Sequence, residues 1–380
     1  MKLFAMEIHK LTNIEEKSNL ISILRATVCQ NEALIPSDAD WNALWQLARS
    51  NHLEAILYSV APEALKEEKK TEYFNMLARS VRQENLLQQI ERVLSENSVF
   101  YALQKGSLLK YDYPEMTMRF MSDLDFYIKT EERQKVKAII ESIGGVAAHT
   151  DSGDDGFVFF NQLGVEFHGR LLYRRTDKGI ENYPDWSFVD ENRNRLTEEG
   201  FALNLIGHAV GDLLKGGPGI RYILDLWVYR HRHSPQPDWT VVFDRLKADR
   251  IDKAAGNLLE LSEYLFGDGE ETPLLKEMAE YILNGGLYGS SKRATATEAA
   301  KTGGISKAVI RQLFRSRTEY ENRYPWLKKM PALLPVAWVL RLTKTLKIHK
   351  GAVKNWMFRM KNVDSSDVEK QKEMLEKFGI

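Results

Sequence analysis

Residues 100–128 read FYALQKGSLLKYDYPEMTMRFMSDLDFYI, and the end of this stretch decides the fold. Asp123 and Asp125 stand one residue apart inside an apolar run that predicts a strand. Strand side chains alternate, so the two carboxylates project from one face while Leu124 and Phe126 turn to the other. Like charges held that close repel unless a cation lies between them, and hard oxygen ligands at this spacing suit Mg²⁺. Upstream, Phe100 to Leu103 predicts a second strand running into Lys105-Gly106-Ser107. A Gly-Ser turn after a strand brings backbone N–H groups close to an anion, because no Cβ blocks the approach.

A lone Asp-x-Asp pair also fits ordinary surface chemistry, and Ser122-Asp123 fits a turn. Three features favour a metal site. The pair lies in an apolar run, where unpaired charge is costly. The Gly-Ser turn precedes it, in the order a phosphate-handling site needs. A third carboxylate, Glu166, stands in the alternating run Val165-Glu166-Phe167-His168, which turns Val165 and Phe167 to the core and Glu166 and His168 to the open face.

These residues together resemble the DNA polymerase beta-type nucleotidyltransferase superfamily. The resemblance is strongest to an uncharacterised bacterial branch with the pieces Lys105-Gly106, Tyr113-Pro114, Arg119, Asp123/Asp125 and Glu166-Phe167-His168. The spacing from Ser107 to Asp123 is longer than in minimal members of the superfamily. The branch also carries an H…R…D run in its helical half, matched here by His208, Arg221 and Asp225. The resemblance implies transfer of an NMP group from an NTP, with ATP as the default, to an unidentified acceptor, releasing pyrophosphate. Asp123, Asp125 and Glu166 would hold two Mg²⁺ ions, with Mn²⁺ as a substitute. Lys105, Gly106, Ser107 and Arg119 would bind the nucleotide phosphates, and His168 and Arg170 would face the acceptor. A non-catalytic adaptor on the same core is the alternative, and an Asp-x-Asp glycosyltransferase a more distant one, since the latter needs a βαβ half before the motif.

With 380 residues, the chain has room for two or three packed units. Its 53 Lys and Arg balance 53 Asp and Glu, so bulk attraction does not make it a polyanion binder. A single cysteine, Cys29, excludes an internal disulfide and fits a reducing compartment. The opening MKLFAMEIHKL lacks a signal-peptide core, and no run reaches the ~18 apolar residues of a spanning helix. The expected location is cytoplasmic, with peripheral membrane contact as an option.

The expected fold class is α+β, a small mixed-sheet core embedded between helical N- and C-terminal regions. The expected divisions are a helical region over 1–95, the core over 96–175, a helical substrate-side domain over 176–284, a flexible linker over 285–305 and a basic amphipathic region over 306–380. In the first, Leu20, Ile21, Leu24 and Val28 share one helical stripe, and Leu86, Leu87, Ile90 and Val93 another. Pro36-Ser37-Asp38 reads as a turn and N-cap, the KEEKK run at Lys66 as a solvated face, and His52 as a packed helix-end histidine. Past Asp125, Val136, Ile139, Ile140 and Ile143 predict a helix ended by Gly144-Gly145. Short strands follow around Val146, Phe157 to Phe160 and Val165 to Phe167, with an acidic turn from Asp151 to Gly156 between the first two.

In the substrate-side domain, Leu203, Ile206, Val210, Leu213 and Leu214 share a helical face, and Pro218 opens the next helix. That helix start is flanked by Lys215 and Arg221, which gives two readings: an anion site, or an Arg221–Asp225 surface pair at i,i+4. Pro235 to Trp239 caps a further helix ending near Phe266. From Trp326 to Val363 there is no acidic residue, while Lys328, Lys329, Arg341, Lys344 and further basic residues interleave with Trp338, Leu340 and Trp356. The 326–363 stretch fits an anionic membrane surface or an acidic protein partner, or else a helix packed on its own protein with lysines in water.

Overall fold

A computed structural model describes residues 14–31, 39–148, 155–159, 162–176, 179–286, 291–314, 317, 320, 324–348 and 362–380. The chain forms two compact units: one takes residues up to 211 together with 218–287 and 379–380, the other takes 212–217 and 288–378.

The first unit opens with helices α1 (Ile14–Leu24), α2 (Trp41–Asn51), α3 (Glu54–Val60) and α4 (Glu63–Glu96). Leu20, Leu24 and Val28 are fully buried, the last in a π-turn over Arg25–Cys29. Asp40 caps α2, accepting from the Asn42 and Ala43 amides at 3.0 Å each, while Pro36 to Asp38 lie outside the described residues. Cys29 is buried, and burial pushes its thiol up to about 12, which leaves it an inert packing group. His52 ends α2 in the left-handed region and stacks on Phe120 at 4.7 Å, as a packed helix-end histidine should. The KEEKK segment is solvated, with Glu63–Lys66 and Glu67–Lys70 pairs on the surface of α4. The 34 residues of α4 span roughly 50 Å, and its second half turns Leu86, Leu87, Ile90 and Leu94 inward.

Glu54, first residue of α3, is only 7% exposed, and burial pushes its carboxyl up to about 7. The folded value lies above the ordinary one, so the stability it contributes is present in acid and is lost as pH rises through the interval up to 7. Glu54→Gln should therefore leave stability unchanged near pH 4 and raise it by about 2–3 kcal/mol at pH 8. Denaturant unfolding at the two pH values checks this.

The sheet contains β1 (Tyr101–Leu103), β2 (Asp123–Ile128), β3 (Val146–Ala148), β4 (Asp155–Phe159) and β5 (Leu163–His168), in the order β1-β2-β5-β4-β3. A four-residue helix α5 (Gly106–Leu109) follows β1, and α6 (Arg133–Ser142) follows β2. Only the β2–β5 pairing is parallel, which makes the sheet mixed. One face is the core: Leu124, Phe126, Ile128, Val165, Phe167 and Phe157 pack on α4 and on Val136 and Ile140 of α6. Gly144, at φ +94°, ends α6 as its C-terminal glycine, with Gly145 N–H donating to the Ile140 carbonyl. Asp155 opens β4 and accepts from Arg133 at 2.6 Å; Asp151 to Asp154 and Phe160 lie outside the described residues.

A hairpin of β6 (Leu172–Thr176) and β7 (Gly179–Tyr183) follows, and was not expected from its polar sequence. Helices α7 (Glu198–Leu213), α8 (Ile220–Arg232), α9 (Trp239–Ala248), α10 (Asp252–Phe266) and α11 (Pro273–Leu283) come next. The single helix expected to end near Phe266 is two, because Arg250 takes φ +59° and the Ile251 amide turns back to the Leu246 carbonyl. Asp238 caps α9 through the Thr240 amide at 2.8 Å.

The second unit holds α12 (Ser291–Thr302), α13 (Ile305–Leu313), α14 (Leu334–Ile348) and α15 (Ser365–Phe378). The expectation of a flexible linker over 285–305 therefore fails at α12. Its four alanines are strong helix formers, Ala296 and Ala299 are buried, and Gly303-Gly304 stops it, both at positive φ.

Candidate active site

Register builds the site. Parallel pairing sets Asp123 opposite Gly164, Asp125 opposite Glu166 and Tyr127 opposite His168, so these side chains share the face turned away from the core. A Cβ on Gly164 would lie 3.4 Å from Asp123 Cβ, so glycine leaves room beside that carboxylate. The alternation expected around Glu166 holds: Val165 and Phe167 are fully buried, while Glu166 and His168 are partly open.

Asp125 is the hub. Its Oδ1 accepts from Lys105 Nζ at 2.8 Å and lies 2.7 Å from His168 Nε2, which is 3.7 Å from Glu166 Oε2. Burial opposes its charge, but Lys105 and His168 outweigh that and hold its carboxyl well below the usual carboxylate range. The reverse holds nearby. Burial, then the charge of Asp125, raises Asp123, whose Oδ1 accepts from Ser122 Oγ at 2.7 Å. Burial, then Asp123 and Asp125, raises Glu166. Ligand atoms of Asp125, Glu166 and His168 lie within 4.8 Å of one another, a grouping suited to a metal ion. Asp123 is not in that group, so the set that converges is Asp125, Glu166 and His168 rather than the expected two aspartates and glutamate.

Lys105 reaches Asp125 from a strained backbone, φ +48° and ψ −125°, a region that a lysine rarely occupies. Its amide donates to Asn204 Oδ1 at 3.3 Å, and Asn204 Nδ2 donates to Gln104 Oε1 at 2.9 Å. The Gly-Ser bend is packed rather than open. A Cβ on Gly106 would lie 3.0 Å from Met121 Cγ and 3.3 Å from Arg119 Cζ, and Ser107 is 1% exposed. Ser107 Oγ has no partner among the described residues.

The run into β2 is bolted down carbonyl by carbonyl. Phe120 O accepts from Arg119 Nη1 at 2.6 Å and from Arg221 Nη1 at 3.1 Å; Met121 O accepts from Gln83 at 3.0 Å and Ser122 O from Arg79 at 2.6 Å. Arg119 also donates through Nε to Asp225 Oδ1 at 2.7 Å, an oxygen that accepts from Tyr113 OH at 2.7 Å. Arg119 is therefore spent on a buried pair with Asp225 and not offered to a phosphate. Asp225 takes Arg119 and Tyr113 rather than the surface pair with Arg221, one of the two readings of that helix start, and Arg221 is itself 4% exposed. Tyr113, Arg119 and Asp225, three pieces of the signature, thus form one internal tie between the long 107–123 insert and α8.

His168, Arg170 and His208 do come together with Lys105, lining a small cleft shared with Gln104, Tyr173, Asn182 and Asn204. Gly207 and Gly211 let Tyr173 lie across α7: a Cβ on Gly211 would sit 2.8 Å from its ring. Lys215 belongs to the second unit, where it pairs with Asp212 at 3.2 Å. The sequence reading missed Arg79, Gln83, Gln104 and Asn204. Two carried a signal: Gln83 shares the inward stripe of Leu86, Leu87 and Ile90, and Asn204 interrupts the apolar run of α7.

A small mixed sheet, backed by helices on one face and carrying a carboxylate cluster on the other, sets out the layout of a nucleotidyltransferase core. Residues 37–267, more than half the chain, match the family described as "uncharacterised nucleotidyltransferase", and the chain belongs to that family. No curated protein and no solved structure matches the chain.

Proposed function

We propose that this chain transfers an NMP group from an NTP, ATP by default, to an acceptor hydroxyl with release of pyrophosphate. The observation that carries the reading is the parallel register that sets Glu166 opposite Asp125 on the open face, with Asp123 beside them. The donor set fits a hard divalent cation, Mg²⁺ or Mn²⁺. Carboxylates dominate it, and both Asp123 and Glu166 are raised first by burial and then by neighbouring negative charge, which a cation would relieve. Asp125 and Glu166 would hold such ions, with Asp123 completing the set and His168 as a further donor. Bound there, they would supply charge neutralisation at the α-phosphate and at the leaving pyrophosphate.

The chain's own groups do the rest. Glu166, held above its ordinary value, takes the acceptor's proton as the acceptor oxygen bonds to the α-phosphorus and the bond from that phosphorus to the pyrophosphate oxygen breaks. Lys105 swings from Asp125 to a phosphate oxygen. Strain at a non-glycine residue of a site fits such a working role for Lys105. His168, Arg170 and His208 in the cleft face the acceptor.

One observation favours the adaptor reading: Lys105 Nζ and His168 Nε2 both lie on Asp125 Oδ1, the oxygen a metal ion would take. Pyrophosphate release from each of the four NTPs, in cell extract as acceptor source, separates the two. Release with Mg²⁺ that stops on chelation is expected. No release and no Mg²⁺-dependent nucleotide binding would leave the adaptor. The glycosyltransferase alternative loses its premise, since the described residues before Tyr101 contain no strand.

A further inference from the structure

The basic C-terminal stretch supplies none of the residues assigned above to this chemistry. In the second unit, Leu334, Ala337, Trp338 and Arg341 recur at i, i+3, i+4 and i+7 along α14 and form its inner stripe. Ala337 is fully buried with Tyr320 and Leu327, Trp338 meets Phe314 edge-on at 5.1 Å, and Arg341 donates to Tyr320 OH at 3.2 Å. The outer stripe is apolar too. Val336, Val339 and Leu340 are 47%, 59% and 46% exposed, and Met330 and Leu333, in the turns before them, are 49% and 38% exposed. A helix that is apolar on both sides is ordinarily covered on both.

We propose that this face lies on the surface of an anionic bilayer, with the aliphatic stripe at the boundary of headgroups and acyl chains. Charge selects this occupant. From Trp326 to Val363 the sequence carries nine Lys and Arg and no Asp or Glu. A second copy packed on this face would set exposed Lys328 and Lys329 against their own like, with no acidic residue of the stretch to pair them. A folded acidic protein would grip through aromatic or Arg anchors seated in pockets, and the exposed apolar side chains of the stripe are aliphatic, Val, Leu and Met. A bilayer asks only for aliphatic area and positive charge. No helix among the described residues is long and apolar enough to cross a membrane, so the contact is peripheral.

The test is co-sedimentation of the chain with vesicles of phosphatidylcholine alone or with about a third phosphatidylserine. Binding to the anionic vesicles only, weakened by salt, is expected. Val336→Asp with Val339→Asp should weaken it about tenfold. Lys328→Gln with Lys329→Gln, at exposed positions off the stripe, should weaken it several-fold, with circular dichroism unchanged in both variants. Equal binding to both vesicle types, or binding to neither, overturns the proposal. So does a concentration-dependent dimer in sedimentation velocity that the valine variant dissolves, which would assign the face to a second copy.

Discussion

Asp125→Asn and Glu166→Gln should each lower NMP transfer by about a thousandfold, yet differ in what they do to the fold. Glu166 is a partly open carboxylate whose ionisation is opposed by burial and by Asp123 and Asp125. Neutralising it removes that repulsion, and His168, 3.7 Å away, keeps its contact with Asp125, so stability at neutral pH should hold or rise slightly. Asp125 is the counter-charge of Lys105, whose side chain is 20% exposed, and of His168. Asparagine there leaves the lysine ammonium half-enclosed without its carboxylate, at a cost of about 3 kcal/mol. His168 would also lose its 2.7 Å contact with the Asp125 carboxylate. Pyrophosphate release and urea unfolding, run on both variants, read the two effects separately. Full activity in Glu166→Gln would remove the general base from the reaction. Equal stability of the two variants would mean that the Lys105–Asp125 pair contributes nothing to the fold.

The parts of the site that were legible in sequence are those governed by strand periodicity. Asp123, Asp125, Glu166 and His168 fall on one face because a strand has period two, and the same alternation buries Leu124, Phe126, Val165 and Phe167. Register was not legible. That Asp125 faces Glu166, rather than a neighbour two residues away, follows from the crossover through α6 and the β3–β4 hairpin, which no local pattern encodes. The partners of charged residues were the least legible. Arg119 and Lys105 are both basic residues near a Gly-Ser bend, yet one is buried against Asp225, 106 positions away, and the other meets Asp125 on the open face. Composition misled once as well. The Ala- and Thr-rich run after Gly285 looks like a linker by composition, but the alanines of α12 find buried positions and fold.

Replacing Asp225 by Ala should cost about 3–5 kcal/mol of stability, because it leaves the Arg119 guanidinium buried and uncompensated. Arg119 and Asp225 side chains are 5% and 3% exposed, so water cannot take over the lost contact. Tyr113→Phe removes only one of the two bonds to Asp225 Oδ1 and should cost about 1 kcal/mol. These residues share one acceptor oxygen, so a double-mutant cycle between Tyr113 and Asp225 should be strongly non-additive. The consequence for the site runs through Phe120, whose carbonyl is held by Arg119 and Arg221 just before the strand that carries Asp123 and Asp125. Arg119→Met should therefore lower the unfolding midpoint and kcat together, with little change in the KM for NTP among molecules that remain folded. A phosphate-binding arginine behaves the other way: its loss raises KM and spares the fold. Normal unfolding of Arg119→Met with a raised KM would return this residue to the nucleotide and break the tie between the insert and α8.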